Sequence, residues 1–287
     1  MEAAVLHLNE QPGASVEAWS GKDRGEENFP VGSWLIAPRL RPHVHAFYAF
    51  ARNADDIADN PDLTEADKIS RLGVMEDVLL GRRTGSSATA TALRSSLAMT
   101  GVTADHARDL LHAFRQDAMK NRTSSWADLM EYCRYSAMPV GRYVLDLHGE
   151  GRDTWPHSDA LCAVLQVLNH LQDCAADYAS LDRCYLPQDA MQAAGARIAD
   201  LTGQAETPAL RQVFNGLLDR CDELNRAARP LPGLVRGRRL RMECAVITAI
   251  GRRLTAKLNR EDPIAGRVKL GPLDGAFGVA AALAVVA

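Results

Sequence analysis

The sequence predicts an all-α protein with a single domain. Apolar residues recur at helical spacing over long segments, as Val44, Phe47, Phe50, Ala54 and Ile57 do in the first of them. No segment shows the alternation of apolar and polar residues that is typical of a strand, and there is no internal repeat. Since no convincing linker divides the chain, we expect one domain whose helices are long enough to enclose a pocket.

The predicted helices begin at Pro42. The first ends before Asn60-Pro61, because the residue before a proline disfavours the helical conformation. After the second helix, residues 81–90 are rich in Gly, Ser and Thr and predict a loop. Further breaks are predicted at Gly149-Glu150-Gly151, Pro187 and Pro230-Leu231-Pro232. The helices after the first are predicted at 65–80, 104–121, 125–147, 158–178, 209–228 and 240–260.

The predicted organisation has three parts. Residues 1–30 are rich in Gly and charge and are expected to be irregular, and residues 31–274 form the helical domain. The apolar tail, residues 275–287, is shorter than the roughly 20 residues that span a bilayer. It therefore either ends a core helix or contacts a membrane surface.

Composition excludes several classes of protein. The net charge of −3 lacks the basic surplus of a nucleic-acid binder, so no nucleic-acid partner is expected. The six cysteines form no C-x-x-C pair and are expected to be reduced thiols, which favours the cytoplasm. The N-terminus has no pattern of a secretory signal. Neither G-x-x-x-x-G-K-[ST] nor G-x-G-x-x-G is present, so P-loop and Rossmann nucleotide sites are unsupported.

Two acidic segments lie more than 100 residues apart. Asp55 and Asp59 are four residues apart, and Asn169, Asp173 and Asp177 continue the same spacing in a second predicted helix. Spacing of four places each set on one helix face, and each face borders an apolar stripe. One such motif alone would more often be a solvated helix face. Two of them beside a core predict a pocket wall.

A metal site is the functional interpretation of these carboxylates. Two carboxylates ~6 Å apart repel by roughly 3 kcal/mol at an effective dielectric of about 20, and no row of lysines follows them in the sequence. Mg²⁺ prefers oxygen ligands and commonly bridges carboxylates to substrate phosphates. The pattern therefore predicts several Mg²⁺ ions and a diphosphate substrate. An arginine cluster at 236–241 could bind anions, although a solvated helix face is the simpler interpretation.

At these residues the chain resembles the squalene/phytoene synthase family, over about residues 27–270. The motifs are individually weak and jointly specific: LRP at 40–42, AFYAFAR at 46–52, DDIAD at 55–59, YCRYSA at 132–137, VG at 140–141, LQ at 165–166 with Asn169, Asp173 and Asp177, RCYLP at 183–187, DP at 262–263 and GRV at 266–268. The resemblance implies an all-α prenyl synthase fold with a central cavity, two acidic helices facing each other across its mouth, farnesyl-type substrates, Mg²⁺ and carbocation chemistry.

The resemblance also implies roles for individual residues. Metal and diphosphate would be bound by Asp55, Asp59, Asn169, Asp173 and Asp177. Tyr135 would join the four aspartates as a catalytic residue. The remaining candidates would line the substrate or pair with phosphate, and they are Tyr48, Arg52, Asp56, Gln166, Tyr185, Arg267 and Asn28.

Two departures from the family pattern indicate a branch. A Ser-rich segment usual before the first helix is replaced by ENFPV at 27–31, and Gln172 stands where an arginine is usual. The ENFPV form resembles the bacterial members that convert presqualene diphosphate to hydroxysqualene by adding water. Mg²⁺ would then be required and no NADPH is expected, since no hydride is delivered. Separate enzymes would supply the substrate and reduce the product, with hand-over between them and peripheral contact with the inner membrane.

Two other functions stay open from the sequence. The chain could be a complete head-to-head synthase that makes presqualene diphosphate, squalene or a carotenoid precursor from two prenyl diphosphates. It could also be an inactive helical scaffold that kept the fold. The intact acidic motifs argue against the scaffold.

Overall fold

The structure is a computed structural model, which describes residues 15–19, 35–271 and 281. Within these ranges the chain forms helices joined by short connections, and the only extended pairing is an isolated bridge between Arg122 and Cys184. The helices are α1 (Arg41–Ala58), α2 (Glu65–Leu79), α3 (Ala88–Thr100), α4 (Asp105–Met119), α5 (Trp126–Ser136), α6 (Met138–Leu147), α7 (Trp155–Leu181), α8 (Gln188–Ala194), α9 (Pro208–Ala228), α10 (Leu231–Leu234) and α11 (Arg238–Leu258).

The all-α prediction is confirmed, but one predicted helix is wrong. The segment 125–147 is two helices, α5 and α6, because the chain leaves the helical conformation at Ala137 (φ −123°, ψ −48°). Pro139 lies two residues further on, in the first turn of α6, and a proline has no N–H to continue the helical ladder. The break turns the wall of the cavity described below, which one straight helix could not do.

Helices α3, α8 and α10 were missed from the sequence. Helix α3 begins inside the segment predicted as a loop, because Ser87 caps it by accepting a hydrogen bond from the backbone N–H of Ala90. The Pro230-Leu231-Pro232 segment, predicted as a break, starts the short helix α10, since proline is tolerated in a first helical turn.

Two groups of buried side chains form the core. One is centred on α1 to α4, and the other on α7, α9 and α11. Helix α7 is the longest at 27 residues, and it packs against α6, α9 and α11. The two cores leave a cavity between α1 and α7. The six cysteines are unpaired thiols, as predicted.

The outer parts of the predicted organisation fall mostly outside the described residues. Within the N-terminal segment, residues 15–19 have no regular secondary structure, and Glu17 accepts hydrogen bonds from Thr89 at the start of α3. Asn28 and the ENFPV segment are outside the described ranges, and so is the tail 275–287 apart from residue 281. No helix in the described ranges is long and apolar enough to cross a membrane.

Candidate active site

A cavity of about 370 Å³ lies between α1, α4, α6, α7 and α11. Most of its wall is apolar, and Phe47 of α1 stacks on Tyr143 of α6 with ring centroids 3.9 Å apart. Tyr143 is fully buried, and its hydroxyl donates to the backbone carbonyl of His43. The other apolar side chains of the wall include Val44, Ala51, Leu110, Phe114, Val140, Val144, Leu161, Leu165, Leu231, Leu240 and Ile247.

One end of the cavity is polar, and both acidic helices reach it. Helix α1 contributes Tyr48, Arg52 and Asp55, and α7 contributes Gln166 and Asn169. We call these five residues the polar end. The remaining members of the two motifs follow along the same helix faces at spacings of four, beyond the cavity wall. Residues far apart in the sequence thus meet at a single opening, with an apolar chamber behind them.

Arginines pair with the motif carboxylates. Arg52 lies 3.1 Å from Asp55 and 2.7 Å from Asp56. The other two pairs cross the fold, with Arg183 Nη1 2.8 Å from Asp59 Oδ1 and Arg267 Nε 2.6 Å from Asp173 Oδ1. The expectation that these carboxylates are unscreened is therefore wrong for Asp55, Asp59 and Asp173, because each has an arginine partner. The partner of Asp55 lies in α1 itself, whereas the partners of Asp59 and Asp173 lie far away in the sequence.

The oxygen donors suit Mg²⁺, although they do not form a closed cage. Among the described residues no three His, Cys, Asp or Glu side chains converge as a metal site. Mg²⁺ usually takes one or two carboxylates and completes its octahedron with water and substrate phosphate. Two separated carboxylate rows on α1 and α7 are compatible with that coordination, since a bound diphosphate would lie between them.

Behind Asp59 lies a buried polar cluster that the sequence did not reveal. Asp117, at the end of α4, accepts hydrogen bonds from the hydroxyls of Tyr132 (2.8 Å) and Tyr185 (2.9 Å). Arg183 donates to the backbone carbonyl of Asp117 and to the Asp59 carboxylate. We call Asp117, Tyr132, Arg183 and Tyr185 the Asp117 network. Burial raises the pKa of Asp117 to about 6, against the opposing effect of Arg183.

His170 joins this network to the polar end. Its ring stacks on Tyr185 with centroids 3.6 Å apart, and its Nε2 lies 3.2 Å from the side-chain amide nitrogen of Gln166. Burial, with a smaller contribution from Arg183, lowers the pKa of His170 to about 3. The imidazole is therefore neutral, and its Nε2 accepts from the Gln166 amide, which can only donate through nitrogen.

Tyr135 and Tyr185 do not line the cavity, in contrast to the expectation. Tyr135 faces α4, where it packs against His112 at 4.3 Å, because Cys133 and Ala137 take the inward face of this turn. Tyr185 belongs to the Asp117 network and borders a separate small pocket. Ser136 lines the cavity instead, one residue after Tyr135. Neighbouring helical positions face different directions, and the motif alone does not say which one faces inward.

Gln172 has a structural partner. Its side-chain amide, buried on α7, donates to the backbone carbonyl of Val268. This bond holds the C-terminal segment next to Arg267, which pairs with the adjacent Asp173. Gln172, which stands where an arginine is usual in the family, thus fixes the position of Arg267.

The neutral His170 predicts a pH effect on stability. Its pKa is lower in the folded protein than in the unfolded chain, so the unfolded chain takes up a proton first as the pH falls below 6.5. Stability from this group is thus present at neutral pH and is lost on acidification towards pH 3. His170→Phe keeps the stacked ring and removes the titration. Urea unfolding of both proteins at pH 7 and 4.5 should show an additional loss of roughly 2–3 kcal/mol in the wild type at pH 4.5. Equal acid sensitivity of the two proteins would contradict the assignment.

Comparison with known proteins gives the class of protein that this fold and site define. The family model for squalene/phytoene synthase matches residues 22–274. The hydroxysqualene synthase of Rhodopseudomonas palustris is 48% identical over 258 residues, covering 90% of this chain and 88% of the relative. The hydroxysqualene synthase of Sinorhizobium fredii is 45% identical over 249 residues, covering 87% and 85%. The phytoene synthase of Mycobacterium tuberculosis is 28% identical, covering 90% and 86%.

Solved structures agree. The squalene synthase HpnC from Alicyclobacillus acidocaldarius matches with a TM-score of 0.71 and 32% identity, covering 80% of this chain and 87% of the other. A dehydrosqualene synthase has the same fold, with a TM-score of 0.71, 22% identity and coverage of 90% of each chain.

The chain belongs to the squalene/phytoene synthase family. It is an enzyme of a class that acts on prenyl diphosphates and generally uses a divalent metal. Within that family the predicted resemblance to the hydroxysqualene-forming branch is confirmed by the relatives at 44–48% identity. These relatives disfavour the inactive scaffold, since their names describe an enzyme.

Proposed function

We propose that this enzyme converts presqualene diphosphate to hydroxysqualene with Mg²⁺, by loss of diphosphate, rearrangement of the carbocation and capture of water. The observation that supports this reaction best is the asymmetric cavity, with two carboxylate rows at one end and an apolar chamber behind them. A substrate with an ionic diphosphate head and a long hydrocarbon chain needs both environments in one site. The names of the relatives at 45% and 48% identity support the same reaction.

The metal and diphosphate would be held by both acidic helices. Asp55 and Asp59 of α1, with Asn169, Asp173 and Asp177 of α7, supply the oxygen ligands that Mg²⁺ prefers. When bound, the metal ions neutralise charge on the leaving diphosphate. Arg52 and Arg267 already lie beside these carboxylates, so they can turn to phosphate oxygens with small side-chain movements.

The chamber protects the cation. Its apolar wall limits the number of water molecules that can reach the reacting carbons, so the cation can rearrange before capture. Tyr48 and Phe47 line the chamber with aromatic rings, and a ring face attracts passing positive charge by about 0.5–2 kcal/mol. Tyr135 and Tyr185 contribute no such contact, since neither lines the chamber.

Labelled water tests this reaction. The protein is incubated with presqualene diphosphate and Mg²⁺ in ¹⁸O-water, and the product is analysed by mass spectrometry. We expect a C30 alcohol that carries the label. An alcohol without the label, or no alcohol at all, would exclude water capture.

Removing the arginine beside each motif should weaken substrate binding. Arg52→Ala and Arg267→Ala each lose a charge-assisted contact to the diphosphate, which should cost roughly 1.5–3 kcal/mol of affinity. The measurement is binding of an inert diphosphate analogue in the presence of Mg²⁺, with thermal melting as the control. Unchanged affinity combined with a large loss of stability would show that the arginines only neutralise their aspartates.

We also propose that the enzyme is cytoplasmic and contacts the inner membrane peripherally, where the enzymes before and after it exchange apolar C30 molecules with it. Residues 224–242 hold six arginines and no acidic residue. Leu234 is exposed on this segment, while Leu231 and Leu240 line the cavity from its inner side. A basic surface with an apolar residue favours anionic lipid, at about 1 kcal/mol per arginine.

Vesicle binding checks the membrane contact. Arg238→Glu combined with Arg239→Glu should reduce sedimentation with phosphatidylglycerol vesicles at least about tenfold. Arg252→Glu with Arg253→Glu makes the same charge change on exposed residues nearer the other end of α11 and should have a smaller effect. Equal losses in both variants would mean that net charge alone, and not this surface, decides binding.

A further inference from the structure

Ser136 lines the cavity and carries a hydroxyl without a hydrogen-bond partner. It is the last residue of α5, at the break before α6, and it lines the chamber. Its Oγ is buried and has no hydrogen-bond partner, and among the described residues of the cavity wall it is the only side-chain oxygen in that state. Buried hydroxyls are nearly always bonded, so an orphan in a cavity wall indicates a missing partner.

The local backbone does not account for this hydroxyl. A serine inside a helix commonly donates to the carbonyl four residues earlier. Ser95 and Ser180 do so in this protein, with distances of 3.0 Å and 2.7 Å to the carbonyls of Thr91 and Ala176. Ser158 of α7, which also lines the cavity, hydrogen-bonds the Cys162 thiol. Ser136 has neither kind of partner, so its hydroxyl is available for a hydrogen bond to a molecule inside the cavity.

Capture of a carbocation by water sets a geometric requirement. The water oxygen must direct a lone pair at the cationic carbon, so its hydrogens must point at hydrogen-bond acceptors. A serine hydroxyl has two acceptor lone pairs. Gln166 lines the same cavity. Its side-chain amide nitrogen lies 3.2 Å from His170 Nε2, and the other end of the amide, the carbonyl oxygen, is a hydrogen-bond acceptor. A water held in an apolar cavity needs two or more such partners.

We propose that Ser136 holds the water that captures the carbocation, with Gln166 as the second acceptor and His170 as the residue that positions Gln166. This inference rests on the proposed function. The water oxygen forms a C–O bond with the cationic carbon, and the oxonium then loses one proton. The departing diphosphate, which the reaction itself supplies as a base, takes that proton. Ser136 therefore decides between water capture and proton loss, and not whether the substrate ionises.

Product partitioning tests this role. With presqualene diphosphate and Mg²⁺, Ser136→Ala should release diphosphate at a rate within about threefold of the wild type. The ratio of alcohol to the hydrocarbon formed by proton loss should fall at least tenfold, which corresponds to about 1.4 kcal/mol. Ser136→Thr keeps the hydroxyl and should keep mainly the alcohol. Ser158→Ala removes a hydroxyl that already has a partner, and should leave the ratio unchanged.

The other outcomes are distinguishable. A Ser136→Ala protein with the wild-type product ratio overturns the proposal, and so does a loss of diphosphate release with an unchanged ratio. If the alanine variant shows no cooperative melting, Ser136→Cys carries the test, because its thiol has a similar size and is a poor acceptor. Failure of the wild type to form any alcohol would overturn the proposed function and not specifically the role of Ser136.

Discussion

Asparagine in place of Asp55, Asp59, Asp173 or Asp177 is expected to lower turnover at least ~100-fold, which is about 2.7 kcal/mol of activation free energy. Asparagine keeps the size of the side chain and one oxygen, and it removes the negative charge that binds Mg²⁺. The measurement is diphosphate release from presqualene diphosphate at saturating Mg²⁺. Asp182→Asn is a matched control, because Asp182 is an exposed aspartate that pairs with Arg122 just beyond the end of α7.

The stability of these aspartate variants should depend on whether the aspartate has a buried arginine partner. From the sequence, removing a carboxylate should relieve repulsion and leave the melting temperature unchanged or higher. The structure reverses this expectation for Asp59, because Asp59→Asn leaves Arg183 with a weaker partner in a largely buried site. We expect Asp59→Asn to lower the free energy of unfolding by about 1 kcal/mol or more.

Near-wild-type turnover in both an Asp55 and an Asp173 variant would contradict the metal site.

Replacing Arg183 by methionine is expected to give the largest loss of stability. Arg183 has a side chain only 8% exposed, and it faces Asp59 at 2.8 Å and Asp117 at 3.9 Å. Methionine fills a similar volume but leaves the buried carboxylate of Asp117 without its cation. Removing one partner of a buried ion pair typically costs about 3–5 kcal/mol. Urea unfolding at pH 7 measures the change.

Arg267→Met is the matched control for this experiment. Arg267 makes an equally short pair with Asp173, but the two side chains are 33% and 28% exposed. Pairs that are partly exposed to solvent are typically worth about 1 kcal/mol or less. If Arg183→Met lowers the free energy of unfolding by no more than Arg267→Met does, the Asp117 network does not depend on Arg183.

The helices and the two acidic rows could be predicted because their signals are local. Apolar spacing placed α1, α2, α4, α7, α9 and α11, and spacing of four placed the carboxylates on common faces. The family motifs then indicated that the two rows meet at one cavity. Helix α3 was hidden because it is rich in Ala, Thr and Ser, and its start depends on the cap from Ser87.

The partners of Asp59 and Asp173 could not be predicted from local spacing, unlike Arg52 beside Asp55. Arg183 lies 124 residues from Asp59, and Arg267 lies 94 residues from Asp173, so only the folded chain brings them together. The same is true of Asp117, which carries no motif and acquires its raised pKa from burial. The break at Ala137 was missed as well, because a continuous helical pattern through 125–147 concealed it.

Product analysis with two substrates tests the proposed reaction most directly. The protein is supplied with presqualene diphosphate or with farnesyl diphosphate, each with Mg²⁺ and each with and without NADPH. We expect hydroxysqualene from presqualene diphosphate, no effect of NADPH, and slow consumption of farnesyl diphosphate. Squalene that appears only with NADPH, or efficient conversion of farnesyl diphosphate alone, would contradict the account and favour a complete head-to-head synthase.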